Sequence, residues 1–307
     1  MKFQHFTFPV GGDQCDAKCP FCVSRMTQGS CKTGQYDNIT NPPKPDWDTF
    51  ETACQIASSS PELITALLTG VAEPLLYPEL ITQSLIVLDK RFPIVELQTN
   101  GLRIARQKEK MTLYLKEWKE MGLKVIALSI VSLDLKENET IYGSPHYDIL
   151  KMVKFLHELG FKVRVCCMMM KGYVDSFERI SNLAKLANWN KIDQLTIRPI
   201  EVPPKEDCKN LNTYNWVQQR TIPKKDMKKI KKKLDQFCST ELVLDYGAIV
   251  YGFPIFDDDK CIIRDRQNLC LSNCLTKPKT PDQIRNLIFF PDGRIQYSWY
   301  SKAARIL

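Results

Sequence analysis

Phe3-Gln4-His5-Phe6-Thr7-Phe8, followed after a short connection by Cys15-Asp16-Ala17-Lys18-Cys19-Pro20-Phe21-Cys22, is the stretch from which the rest of the chain is read. A strand-like run leads straight into three cysteines spaced x3 and then x2. Three thiolates at this spacing hold three corners of a 4Fe-4S cube, because one compact loop spans the cube's edges. The fourth iron is then left without a protein ligand and is free to chelate a substrate or cofactor, whereas a sealed electron-transfer cluster normally takes four cysteines. A tetrahedral zinc site is the alternative; it needs a fourth ligand, for which Cys31 is available.

Downstream of this loop, strand-like and helix-like segments alternate until about residue 205. The strands are expected at Phe3 to Phe8, Leu63 to Leu68, Ile94 to Gln98, Val125 to Ile130, Lys162 to Met169 and Gln194 to Pro199. Amphipathic helices are expected at Asp48 to Ser58, Pro78 to Asp89, Met111 to Met121, Tyr147 to Leu159 and Ser176 to Ala187, the last opened by Asp175 or Ser176 as N-cap. Such alternation implies a parallel sheet with right-handed crossovers. The fold class is α/β, and six units without closure make a partial (β/α)6 barrel.

Composition agrees with an enzyme. The 307 residues are 44% hydrophobic, enough for a substantial core. No stretch approaches a membrane span and the N-terminal residues do not read as a secretory signal, so a cytoplasmic protein with no membrane partner is expected. In a reducing compartment the 12 cysteines read as metal ligands and buried thiols. His5, His146 and His157 are the only histidines, which leaves few candidates for histidine acid-base chemistry.

The cysteine loop, with aromatic Phe21 directly before the third cysteine, resembles the signature of the radical S-adenosylmethionine (radical SAM) superfamily. The resemblance implies that Cys15, Cys19 and Cys22 hold a 4Fe-4S cluster whose open iron binds SAM. It implies that the reduced cluster cleaves SAM to methionine and a 5'-deoxyadenosyl radical, which takes a hydrogen atom from the substrate. The same resemblance extends to the ends of the expected strands, where active sites of parallel α/β folds lie. Leu68-Thr69-Gly70-Val71-Ala72-Glu73-Pro74 is similar to the family's Gly-Gly-Glu-Pro stretch, with Val71-Ala72 departing from the glycine pattern. There the backbone carbonyls around Gly70 and Ala72, or Glu73, would receive the SAM ammonium group; Gly70 and Pro74 would also suit an ordinary turn.

Gln98-Thr99-Asn100-Gly101 is similar to the Thr-Asn-Gly turn of relatives of the molybdenum cofactor synthase. In Leu128-Ser129-Ile130-Val131-Ser132-Leu133-Asp134, either Ser129 or Ser132 matches the family serine that contacts SAM; alternation along a strand would let only one face the cofactor. Arg164, in Val163-Arg164-Val165-Cys166-Cys167, stands where relatives place an arginine on the SAM carboxylate. An arginine in an apolar strand requires a ligand or an acidic neighbour, and the same holds for Arg198.

At Val202-Pro203-Pro204-Lys205 the alternation stops, so residues 1-205 are expected to form the barrel and 206-307 a smaller C-terminal α+β extension. Its first element, Pro223 to Phe237, carries an apolar stripe of Met227, Ile230, Leu234 and Phe237 among seven lysines, either a solvated helix face or an attraction for an acidic partner. Pro291-Asp292-Gly293 between β-rich runs predicts a hairpin. With Cys261, Cys270 and Cys274 it resembles the SPASM and twitch extensions of radical SAM enzymes. That resemblance implies an auxiliary 4Fe-4S cluster or zinc, with Cys208 or Cys238 as fourth ligand, although Ser298 stands where such hairpins usually offer a cysteine.

The expectation is therefore a radical SAM enzyme acting on a peptide or nucleotide-type substrate, with epimerisation, crosslinking or rearrangement to follow. A reductant such as flavodoxin or ferredoxin would supply the electron, and Cys208 or Cys238 would be candidate hydrogen donors. The reading from a different class is a non-enzymatic zinc or iron-sulfur protein that binds nucleic acid through the lysine helix.

Overall fold

In a computed structural model, the protein is described at residues 2–12, 14–22, 44–60, 65–70, 72–88, 91–202, 205, 208, 210–244, 247–256, 263–272 and 283–297. The strands are β1 (Lys2–Pro9), β2 (Thr65–Thr69), β3 (Ile94–Thr99), β4 (Leu123–Ile130), β5 (Lys162–Met169), β6 (Gln194–Pro199), β7 (Ser239–Val243), β8 (Ile249–Phe256), β9 (Ile263–Leu271), β10 (Gln283–Phe289) and β11 (Ile295–Gln296). The helices are α1 (Trp47–Ser58), α2 (Pro78–Leu88), α3 (Leu102–Arg106), α4 (Lys108–Glu120), α5 (Leu135–Tyr142), α6 (Ile149–Glu158), α7 (Phe177–Trp189), α8 (Leu211–Arg220) and α9 (Lys224–Phe237). All strands join one 11-stranded sheet in the order β11-β10-β1-β2-β3-β4-β5-β6-β9-β8-β7.

From β1 to β6 every neighbouring pair is parallel, as the βα alternation requires. The sheet is curved but not closed. Alternation along β5 shows how it divides inside from outside: Val163, Val165, Cys167 and Met169 are fully buried, whereas Arg164, Cys166 and Met168 are half-buried. The first set shares a continuous core with Val153 and Leu156 of α6, and each such aliphatic side chain contributes roughly 1.5–3 kcal/mol. The second set faces the lumen, where polar groups are tolerated.

Helix starts follow side-chain caps. Asp46, Asp134, Asp148, Ser176 and Asn210 each accept backbone N–H groups in the first turn of α1, α5, α6, α7 and α8. Of the two residues expected to open α7, Ser176 is the cap, and the Asp175 carboxylate accepts from the Gly172 N–H instead. Helices α5 and α8 escape the periodicity reading because their apolar stripes are weak; α8 buries only Val217. Among the described residues no helix is long and apolar enough to cross a membrane.

The C-terminal region departs from a simple appendage. Strand β10 pairs in parallel with β1, and β9 pairs in parallel with β6, so residues after 205 lengthen the barrel sheet at both ends. The hairpin expected around Pro291-Asp292-Gly293 is present, joining β10 to a two-residue β11. In α9, Ile230 and Leu234 are buried, Phe237 packs on Phe177 and Phe253, and Lys229 and Lys231 pair with Asp226 and Asp235.

Candidate active site

The cysteine loop lies at the carboxyl end of β1, and three separate backbone anchors hold it there. Val10 N–H donates to the Thr69 carbonyl at 2.6 Å, the Glu73 N–H to Gln14 at 3.1 Å, and the Lys18 N–H to Tyr142 at 2.7 Å. Cys15 is exposed, Cys19 and Cys22 are half-buried, and none of the three forms a disulfide. Although the residue as a whole is exposed, its sulfur lies against the Ala17 N–H and Asn100 Nδ2, and this partial desolvation pushes the thiol up to about 11, with Glu73 and Asp16 adding to the effect. Among the described residues no three His, Cys, Asp or Glu side chains converge as a preformed cation cage.

Glu73 organises the neighbouring turn. It is buried, with Oε1 accepting from the Leu75 N–H at 3.0 Å and the Thr99 hydroxyl at 2.6 Å, and Oε2 accepting from the Asn100 N–H at 2.9 Å. Burial raises its carboxyl to about 7 in spite of these three donors, each of which favours the carboxylate. Both oxygens are thus engaged in holding the 99–101 turn. Gly70 belongs to the same construction: a Cβ there would stand 2.5 Å from the Ala72 carbonyl oxygen. Glycine is required by that close approach, and Ala72 is accommodated beside it.

Asn100 carries the link onward. Its Nδ2 donates to Asp16 at 2.8 Å and lies 3.8 Å from the Cys15 sulfur, while its Oδ1 accepts from the Leu102 N–H at 2.9 Å. Gly101 has φ +74°, and the Tyr147 hydroxyl, donating to the Asn100 carbonyl at 2.9 Å, leaves 2.3 Å for any Cβ. Glu73, Asn100 and Cys15, far apart in sequence, therefore form one hydrogen-bonded unit. Sequence reading missed Asp16, Thr99, Tyr142 and Tyr147 as its supports; only Asp16 and Thr99 lay inside quoted motifs.

The remaining expected residues are placed differently. Strand β4 ends at Ile130, so Ser129 lies within it and Ser132 beyond it, and alternation does not choose between them. The Ser132 hydroxyl accepts from the Asp134 N–H at 3.0 Å, an internal turn bond, and the Ser129 carbonyl accepts from the Tyr142 hydroxyl at 2.5 Å. Arg164 sits five residues before the end of β5, in the lumen, and its guanidinium is paired with Glu96 of β3. The acidic neighbour that its burial demanded is that carboxylate. Cys270 lies on β9 beside Thr196 of β6, within reach of the charges of Arg164 and Arg198. Cys208 is buried, and burial pushes the Cys238 thiol up to about 12. Cys31, Cys261 and Cys274, together with Val71, Ser298 and the loop from Ser24 to Pro43, lie outside the described residues.

Comparison with known proteins bears on this site as a whole. Residues 10–187 match the model of the radical SAM superfamily, and the chain belongs to that family. By fold it is similar to native anSMEcpe with bound AdoMet (13% identity, TM-score 0.59, 99% of this chain and 77% of that one). It is also similar to Streptococcus suis SuiB bound to S-adenosylmethionine (16% identity, TM-score 0.57, 97% of this chain and 60% of that one) and, at TM-score 0.53, to SuiB bound to the precursor peptide SuiA. The chain thus spans 60% of the length of SuiB. No curated protein matches the sequence closely. Family membership carries with it a 4Fe-4S cluster and SAM, and it favours the enzyme over the non-enzymatic zinc or nucleic-acid-binding reading.

Proposed function

We propose that Cys15, Cys19 and Cys22 ligate the cluster, that SAM lies over the unit built by Gly70, Ala72, Glu73 and Asn100, and that a hydrogen atom is taken from a peptide-type substrate. The observation that carries this reading is the direct hydrogen-bonded continuity from Cys15 through Asn100 to Glu73. The donor set fits: three soft thiols on one anchored loop suit iron-sulfur ligation, and the raised Cys15 means that its proton leaves on metal binding. When bound, the cluster supplies the electron that cleaves SAM.

The chain's own residues do the positioning. Glu73 spends its oxygens fixing the Asn100 turn, which leaves the backbone carbonyls around Gly70 and Ala72 as acceptors for an ammonium group. Ser129, with a half-buried side chain near the end of β4, is favoured over Ser132, whose hydroxyl is occupied locally. Arg164 is left out of the SAM set because Glu96 already takes its guanidinium. Selectivity then comes from placement of the substrate and exclusion of water rather than from a general base. The peptide assignment draws support from the likeness to SuiB with SuiA. A ferredoxin or flavodoxin is proposed as reductant.

The nucleotide reading rests on the lysines of α9. Changing Lys228, Lys229 and Lys232 to Glu and finding wild-type turnover removes it. An auxiliary cluster or zinc at Cys270 is tested by iron and zinc content of Cys270→Ala. The central reading is tested by anaerobic reconstitution with iron and sulfide, then addition of SAM and dithionite. Release of 5'-deoxyadenosine by the wild type and its loss in Cys19→Ala is the expected result; cluster-loaded protein that releases none overturns it.

A further inference from the structure

Inside the barrel, below the cysteine loop, several polar groups point into the lumen without partners. On β6 the Arg198 Nε and the Thr196 hydroxyl are buried with no hydrogen-bond partner, and on β1 so is His5 Nδ1. Arg198 makes no ion pair among the described residues, whereas Arg164, one strand away, has Glu96. These strands are not neighbours: β1 and β6 are separated by four others in the sheet. Burial lowers the His5 pKa to about 3, and the positive charges of Arg164, Arg285 and, least, Arg198 add to the effect. Thr196 and Arg198, two residues apart, share one face of β6, and β1 belongs to the same open sheet.

A buried guanidinium Nε and a buried hydroxyl without partners are costly, and a ligand that accepts from them removes that cost. Glu96 matches the charge of Arg164, whereas Arg198 has no ion pair among the described residues, so the complement is an anion. At this acidity His5 is neutral at physiological pH and offers a ring N–H or lone pair, leaving the charge to arginine. Thr196 is registered against Cys166 on one side and Cys270 on the other, which places its hydroxyl in the row between the two strands. The site lies beneath the SAM unit: His5 is four residues, or about 13 Å of strand, before Pro9.

We propose that the lumen between β1 and β6 binds an oxyanion of the substrate, a carboxylate or a phosphate ester, through Arg198 with Thr196 and His5. This rests on the radical SAM reading, with SAM held at the cysteine-loop end of the same barrel. Arginine offers a planar fork to the two oxygens, Thr196 adds one donor, and the anion tethers the substrate so that its reacting carbon stays near the cysteine loop.

The test uses the anaerobically reconstituted protein, without SAM or reductant, titrated with inorganic phosphate or with acetate against chloride at equal ionic strength. Thermal unfolding and calorimetry are followed for the wild type, Arg198→Met and Thr196→Val. One or both anions should raise the wild-type midpoint by about 2–4 °C at ten times Kd. Arg198→Met should weaken that anion at least tenfold, and Thr196→Val severalfold. A response to phosphate alone assigns a phosphate ester, a response to acetate alone assigns a carboxylate, and a response to both supports the shared site. Should Arg198→Met fail to fold, Thr196→Val carries the comparison. No wild-type response, or equal responses in wild type and variants, overturns the proposal. Failure of the radical SAM reading shows separately, as absence of 5'-deoxyadenosine.

Discussion

Three donors converge on one buried carboxyl at Glu73, and this residue controls both the stability and the shape of the site. Removing it in Glu73→Ala orphans two backbone N–H groups and a hydroxyl, so a loss of about 3 kcal/mol is expected from denaturant unfolding, together with loss of SAM binding. Its titration has a definite sign. The carboxyl holds its proton up to about 7 in the folded protein against 4.5 when unfolded, so the folded state binds more protons across that window. Stability should accordingly fall as pH rises from 4.5 to about 7 and level off above. In Glu73→Gln that slope should flatten; an unchanged slope would assign it to another group.

Elements place these residues, and the turn after β3 shows how. Gly101 at φ +74° opens α3 directly beneath the Tyr147 hydroxyl, so one glycine joins the turn after β3 to the loop before α6. Gly101→Ala should cost about 1–3 kcal/mol, through backbone strain and collision with Tyr147, and should lower SAM affinity more than it lowers cluster content. Equal losses of both would mean that the turn acts on folding alone. At α7, Ser176→Ala removes the N-cap that accepts from Arg179 N–H and should cost about 1 kcal/mol in thermal unfolding without altering SAM cleavage.

On the scale of the whole molecule, the C-terminal third is part of the barrel sheet. Phe289 of β10 packs on Phe8 and Phe50, and β9 covers the free edge of β6. Truncation after Val202 would expose both edges of a parallel sheet and the aromatic cluster between β1 and α1. Such a fragment should aggregate on expression; a soluble, cooperatively folding fragment would show that residues 1–202 are a self-sufficient unit.

The amino-acid sequence alone determined the βα order, the parallel strands β1 to β6 and the cysteine loop, because hydrophobic period and cysteine spacing are local properties. Two strands, β5 and β6, fall at the very residues expected. Pairings over long sequence separations were decided only by the tertiary structure. Glu73 with Asn100, Arg164 with Glu96, and β9 and β10 at opposite ends of the sheet all depend on chain closure that no local pattern encodes. The family resemblance marked the cysteine loop as the proposed metal centre. Packing decided that Glu73 builds the turn beside it, and left the Arg198 Nε and the Thr196 hydroxyl of β6 buried without partners.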